Sequence, residues 1–163
     1  MTTAAKCLLG LALIVATVAT VASQNKVEVV KERGHVIVTL SAERGLGAVP
    51  STGFMMSAEA KDKTIVVIVM SHTAEARWKD FNHFAIITDG KAETFKSVWG
   101  GKPESDYESV NEAVVVKDVP ISVVEAMVKA KSAAFRVGAT TITLTPEQVE
   151  LVKQFIAKVK GGN

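Results

Sequence analysis

Two histidines flank a polar segment that could bind a ligand. His72 follows the apolar run 64–70, and His83 precedes the apolar run 84–88. If the strands 65–71 and 84–88 pair through the intervening loop, the two imidazoles lie opposite each other at the mouth of a hairpin, where they could hold a metal ion or respond to pH. The other interpretation is that each histidine ends a strand and hydrogen-bonds a loop carbonyl. We favour the second, because structural zinc needs four ligands and no third has suitable spacing. We predict no metal site and no cofactor.

A tryptophan in the same segment offers a second possible contact for a ligand. Trp78, with Lys79 and Phe81 beside it, could form an aromatic edge that binds a small ligand or a glycan. Alternatively, Trp78 covers the end of the core, as a single tryptophan near a strand end usually does. Trp99, beside two glycines, has the same two interpretations. The candidate ligand-binding residues are therefore His72, Trp78, His83 and Trp99.

Catalytic motifs are missing from the sequence. There is no Gly-x-Ser-x-Gly elbow, no His-Glu-x-x-His and no Ser-x-x-Lys with its companion motifs. The Gly-Leu-Gly at 45–47 precedes neither a helix nor a Lys-Ser/Thr pair, so it is not a phosphate loop. Glu104, Asp106 and Glu108 could bind a cation weakly, but their spacing is not that of a calcium loop and predicts a solvated loop at 100–108. We predict no catalytic residues.

These observations favour a non-enzymatic domain that acts by binding or by structural interaction with an unknown protein or small ligand. The alternative is a small secreted hydrolase or inhibitor that uses the loops around His72, Trp78 and His83. A net charge of +2 without a basic cluster argues against nucleic acid as a partner. The length suits one domain, residues 24–163, with a sizeable core.

The N-terminus predicts a secretory signal peptide over residues 1–23. Lys6 precedes the apolar run 7–22, and small residues follow, so we expect cleavage after Ala22 or Ser23. An uncleaved anchor is the alternative, but the run is shorter than the ~20 residues of a spanning helix. The only cysteine, Cys7, begins the run, whereas a lipoprotein cysteine would end it. We therefore predict a periplasmic or secreted protein with no disulfide and no stable membrane insertion after cleavage.

Hydrophobic periodicity predicts short strands followed by C-terminal helices. Alternating or wholly apolar runs mark strands at 27–31, 35–40, 53–60, 64–70, 83–88, 92–99 and 112–118, and Asp89-Gly90 predicts a tight hairpin turn. Run 64–70 is apolar on both faces, which is typical of a strand in the middle of a sheet or sandwich. The fold class is mainly β (α+β), an antiparallel β-sandwich or curled sheet with two C-terminal helices packed on it.

The segment 120–160 predicts a helix, a strand, a turn, a second strand and a second helix. Ser122, with Glu125 three residues later, predicts the start of the first helix. Thr145, followed by a proline and then by Gln148, predicts a capping box for the second. Gly161-Gly162 should end that helix.

From Val27 onward the chain resembles a loose group of uncharacterised exported bacterial proteins. The matching features are Trp78-x-x-x-x-His83, Asp89-Gly90-Lys91, Glu112 before an apolar strand, and Arg136-x-x-x-x-x-Ile142-x-Leu144-Thr145-x-x-Gln148. The resemblance implies a secreted β-rich domain and no particular activity. Members of the group often carry cysteines where Asn82 and Gly138 stand here, which implies that these two positions lie close in space and excludes a redox role for this chain.

Overall fold

The structure is a computed structural model that describes residues 25–44, 51–103 and 110–162. The predicted signal peptide, the Gly-Leu-Gly at 45–47 and the acidic cluster of Glu104, Asp106 and Glu108 lie outside the described residues. Ten strands and two helices follow one another in the described parts of the chain. They are β1 Lys26–Glu32, β2 His35–Arg44, β3 Ser51–Glu59, β4 Thr64–Thr73, β5 His83–Thr88, β6 Lys91–Lys96, β7 Val98–Pro103, β8 Val110–Pro120, α1 Ile121–Lys129, β9 Ala133–Val137, β10 Thr140–Thr143 and α2 Pro146–Gly161.

The strands form two antiparallel sheets. The large sheet has the order β1-β2-β3-β4-β8-β7, and the small sheet has the order β10-β9-β5-β6. The chain thus builds four strands of the large sheet, crosses to the small sheet, returns for β7 and β8, and crosses again after α1. This architecture confirms the predicted mainly β (α+β) class.

The inner faces of the two sheets share one core. Phe54 of β3 meets the ring of Phe135 in β9 edge-to-face, with centroids 5.1 Å apart, and Phe84 of β5 lies 5.4 Å from the same ring. All three rings are almost completely buried. Helix α2 adds Val152 and Phe155 to this core beside β1 and β2, so it packs on the inner face of the large sheet next to the small sheet.

The two helices begin differently from each other. At α2 the side chain of Thr145 accepts a hydrogen bond from the Gln148 N–H, and the Gln148 side chain accepts one from the Thr145 N–H, which confirms the capping box. The helix ends at Gly162, whose φ of 68° is the left-handed C-cap conformation. The predicted Ser122 cap of α1 is wrong. The cap residue is Pro120, because the chain enters directly from β8 and the N–H of Ile121 bonds to the Lys63 carbonyl.

The predicted single strand at 92–99 is also wrong, because the chain changes sheets within it. β6 pairs with β5 in the small sheet, and β7 pairs with β8 in the large sheet. The crossing lies at Ser97, whose N–H donates to the Asn82 carbonyl. Phe95 and Trp99 both pack against the core and keep the two-residue period across the crossing, so periodicity alone does not reveal it.

Candidate functional site

The four candidate residues do not converge. His72 lies in β4 on the outer face of the large sheet, since its neighbour Ser71 is buried on the core side. His83 begins β5 of the small sheet and is exposed. Trp78 is fully buried, and Trp99 of β7 is half-buried. Of the four, only His83 lies at an accessible depression.

The strand pairing that would place His72 and His83 together does not occur. β4 lies between β3 and β8, whereas β5 lies between β6 and β9 in the other sheet. The chain leaves the large sheet after Thr73, and residues 74–82 carry it across, so His72 and His83 lie on the outer faces of different sheets. Within residues 25–44, 51–103 and 110–162, no group of three or more His, Cys, Asp or Glu side chains could hold a metal ion.

Both tryptophans meet instead at a buried carboxylate. Glu112 of β8 is 2% exposed and faces the core. Its Oε1 accepts hydrogen bonds from the backbone N–H of Trp78 at 2.9 Å and from the indole Nε1 of Trp99 at 3.0 Å, and its Oε2 accepts from the N–H of Arg77 at 2.8 Å. Three N–H donors thus compensate for the desolvation of the carboxylate. Glu112 fixes the crossing segment 74–82 to the large sheet.

The side chains of this segment strengthen the attachment. Arg77 donates from Nη2 to the Ser71 hydroxyl at 2.7 Å, and its guanidinium lies 5.8 Å from the Trp78 ring centroid. The Trp78 indole donates to the Thr140 hydroxyl at 3.1 Å, which joins the segment to β10. The interpretation that Trp78 covers the end of the core agrees with these contacts, and a buried indole cannot contact a ligand.

A shallow depression of about 150 Å³ lies on the outer face of the small sheet, directly after this attached segment. The register positions its walls. Ala85 of β5 is paired with Thr94 on one side and with Arg136 on the other, so the three side chains form one row across the face. The lining residues are Phe81, His83, Phe84, Ala85, Thr94, Arg136 and Gly138.

Phe81 forms one wall of the depression, and its position depends on Gly138. The Phe81 N–H donates to the Trp78 carbonyl at 3.0 Å, which fixes its backbone to the attached segment. Its ring lies so close to Gly138 that a Cβ there would approach ring carbons to 2.6–2.8 Å, and Gly138 has a φ of +54°. Only glycine suits both demands. The contact also places Phe81, the residue before Asn82, beside Gly138.

The depression is cationic. Arg136 is exposed between the buried Phe135 and Val137, and it makes no ion pair or side-chain hydrogen bond with any described residue. His83 is paired across the sheet with Lys96, which adds a second cationic side chain to the same face. An exposed guanidinium beside an aromatic ring suits an anionic group attached to an apolar body.

A second groove, of about 230 Å³, lies between the two helices. Glu125 of α1 forms an ion pair with Lys160 of α2 there. The hydrogen bond from Lys160, with its charge and that of Lys129, lowers the pKa of Glu125 below the usual 4.5, although partial desolvation opposes this. In this groove Glu125 and Lys160 neutralise each other, and Lys153 pairs with Glu150 of the same helix.

Comparison with known protein families, curated proteins and solved structures finds no match for this chain. In the described part of the chain, no helix is long and apolar enough to cross a membrane.

The sequence indicated His83 and, beside Trp78, Phe81 as possible ligand contacts, but not the other residues that complete the depression. The alternation of Phe135, Arg136 and Val137 is typical of a strand with one buried face, and it puts Arg136 on the face opposite to the two apolar residues. What could not be read from the sequence was that β5 lies between β6 and β9, which alone brings Thr94 and Arg136 to either side of Ala85.

Proposed function

We propose that this chain is an exported, non-enzymatic domain that binds a small organic anion in the depression on the small sheet. The observation that carries the proposal is the exposed guanidinium of Arg136, which has no carboxylate partner among the described residues and stands beside the Phe81 ring. The ligand class is a carboxylate or phosphate monoester attached to an aromatic or aliphatic group.

The polar half of such a ligand would bind to Arg136. A guanidinium presents a planar fork of N–H donors that matches the two oxygens of a carboxylate or phosphate. The hydroxyl of Thr94 can donate to the same group from the far side of Ala85. Lys96, opposite His83 in the register, adds favourable charge on this face.

The apolar half would lie against Phe81 and above Gly138. Phe81 keeps 43% of its surface exposed although it is a large apolar side chain. Covering that surface gives a hydrophobic contribution, and an aromatic ligand adds ring–ring contact. The depression is small and open, so we expect a dissociation constant on the order of 1 mM for a minimal ligand.

Titration with benzoate tests the proposal. Chemical-shift changes of backbone amides should concentrate at the small-sheet depression, and Arg136→Gln should weaken binding by about tenfold, the loss of one charge-assisted contact. Benzyl alcohol, which lacks the anion, and acetate, which lacks the ring, should each bind more weakly than benzoate.

Lys91→Gln is the matched control. It removes one positive charge from the same sheet at the exposed hairpin end, away from the depression. Equal weakening by Lys91→Gln and Arg136→Gln would show that net charge, and not the site, attracts the anion. Undetectable benzoate binding at 50 mM, on the order of fiftyfold above the expected constant, would refute the proposal.

Export is part of the same proposal. The apolar run 7–22 and the small residues after it support a cleaved signal peptide, and β1 begins at Lys26, so cleavage after Ala22 or Ser23 would leave every described strand intact. Mass spectrometry of the exported protein should give an N-terminus at Ser23 or Gln24. An intact Met1 would contradict cleavage.

A further inference from the structure

A second cation stands across the depression from Arg136, on the same outer face of the small sheet. Lys96 is the register partner of His83, and it follows Phe95, which packs against the core. The two-residue period of a strand therefore turns Lys96 to the outer face. Lys96 is exposed, and it forms no ion pair with any described residue. The depression thus has one cationic side chain on each side.

The strand register sets the distance between these two cations. Arg136 is paired with Ala85 in one row, and Lys96 is paired with His83 in the neighbouring row. Because β6 and β9 flank β5, their backbones are about 9.6 Å apart, and the two rows are about 6.8 Å apart, so the Cα atoms of Arg136 and Lys96 are separated by about 12 Å. The line between them crosses β5 between His83 and Ala85, which both line the depression.

The space between the cations suits one flat ring. Ala85 carries only a methyl group, and it lies in the middle of a row between the larger side chains of Thr94 and Arg136. The depression above it has a volume of about 150 Å³. A cavity of about that volume accommodates one benzene ring. A ring placed over Ala85 would have Phe81 at its side and a cation beyond each end.

The charges of the small sheet favour a ligand with two negative groups. Glu93 is the only acidic residue in the four strands β5, β6, β9 and β10. It lies between Ala92 and Thr94 in β6, so its side chain alternates to the inner side of the sheet. No carboxylate of these strands therefore accompanies Arg136 and Lys96 on the outer face. A monoanion bound to Arg136 would leave the charge of Lys96 without a partner.

Building on the anion site proposed above, we propose that its ligand is an aromatic dianion, a ring with an anionic group at each of two opposite positions. One group binds the guanidinium of Arg136, and the other binds the ammonium of Lys96, each through hydrogen bonds of about 2.8 Å. Carboxylates and phosphate monoesters both offer this chemistry. Lys96 is then the residue that makes the site prefer dianions to monoanions.

Terephthalate and its monomethyl ester test this preference. The two compounds have the same ring and the same spacing of substituents, and they differ in the second negative charge. Chemical shifts of backbone amides give both dissociation constants. Terephthalate should bind about tenfold more tightly than the ester, because an exposed contact with Lys96 contributes about fivefold and the choice of either carboxylate for Arg136 contributes about twofold.

Lys96→Gln should reduce the preference for terephthalate from about tenfold to the statistical value of about twofold. Benzoate binding should change by no more than about threefold, because Lys96 lies farther from Arg136 than the Debye length of about 8–10 Å. The variant should fold, since Lys96 is exposed. Lys91→Gln is the matched control. It removes the same charge from the same strand at the hairpin end, and should keep the tenfold preference.

The outcomes separate this inference from the proposed function. Undetectable benzoate binding would refute the anion site and the dianion together. If benzoate binds and Arg136→Gln weakens it, equal affinities for terephthalate and its ester would overturn the dianion inference alone. A preference that survives in Lys96→Gln, or that Lys91→Gln reduces to the same extent, would also overturn it, because net charge and not a contact with Lys96 would then attract the second anionic group.

Discussion

Replacing Glu112 by glutamine should lower the free energy of unfolding far more than the same replacement of an exposed glutamate in this protein. The carboxylate accepts three N–H donors, two at Oε1 and one at Oε2, and it is 2% exposed. The amide of glutamine has a single acceptor oxygen. Whichever way the amide turns, its NH₂ group faces at least one N–H that has lost its acceptor.

The magnitude follows from the better of the two amide orientations. If the oxygen takes the Oε1 position, the donors from Trp78 and Trp99 keep an acceptor, and the N–H of Arg77 is left unsatisfied. A buried unsatisfied donor costs about 1–3 kcal/mol, and the two remaining bonds lose their charge assistance, so we expect a total of about 2–4 kcal/mol. That is a large part of the ~5–15 kcal/mol by which a domain is stable, and should lower Tm by about 5–15 °C.

Urea denaturation of the two proteins measures this difference. Trp78 and Trp99 both donate to Glu112, so tryptophan fluorescence reports directly on the altered site as well as on unfolding. The control is Glu93→Gln, which makes the same chemical change at an exposed position of β6. If the free energies of unfolding of Glu112→Gln and Glu93→Gln differ by less than about 0.5 kcal/mol, the three hydrogen bonds to Glu112 do not stabilise the fold as argued.

Two further predictions concern Gly138 and Glu125. Gly138→Ala should lower the free energy of unfolding by about 1 kcal/mol, as Gly90→Ala should, because both glycines have positive φ and the partly exposed Phe81 ring can move away from the new methyl group. Only Gly138→Ala should also weaken benzoate binding. Equal binding in both variants would contradict the proposed role of Phe81 as a wall of the depression. Glu125 has a folded-state pKa below its usual 4.5, so its ionisation stabilises the fold above that pH, and this contribution is lost as the pH falls through the folded-state value. Acid titration of stability should therefore be steeper below pH 4.5 for the wild type than for Glu125→Gln, and parallel curves would show that the ion pair with α2 does not form in solution.

Features set by neighbouring residues could be predicted from the sequence. The capping box at Thr145 needs only a hydroxyl, a proline and a glutamine at fixed offsets, and all are present. The turn at Asp89-Gly90 needs two residues that tolerate positive φ, and both adopt it, at 49° and 81°. The predicted cap at Ser122 was wrong because a contact distant in sequence decides where the helix begins. The N–H of Ile121 donates to the carbonyl of Lys63, between β3 and β4, so the helix begins one residue earlier than the local signal indicated.

Features set by strand pairing could not be predicted. Glu112 is the charged first residue of the predicted strand 112–118, and nothing local indicates that its side chain is buried. Its burial depends on Trp78 and Trp99 arriving from two segments 34 and 13 residues away in sequence. His72 and His83 were separated for the same reason, since the order of strands across a sheet is decided by long-range packing that periodicity does not encode.

The arrangement of the two sheets explains why the proposed anion site lies on an outer face. The described inner-face residues, including Phe54, Phe135 and Trp78, form one continuous core, so they are not available to contact a ligand. The two outer faces differ in chemistry. On the small sheet Arg136 stands beside an aromatic ring and pairs with none of the described carboxylates, whereas the outer face of β4 in the large sheet carries Val66, Ile68 and Met70.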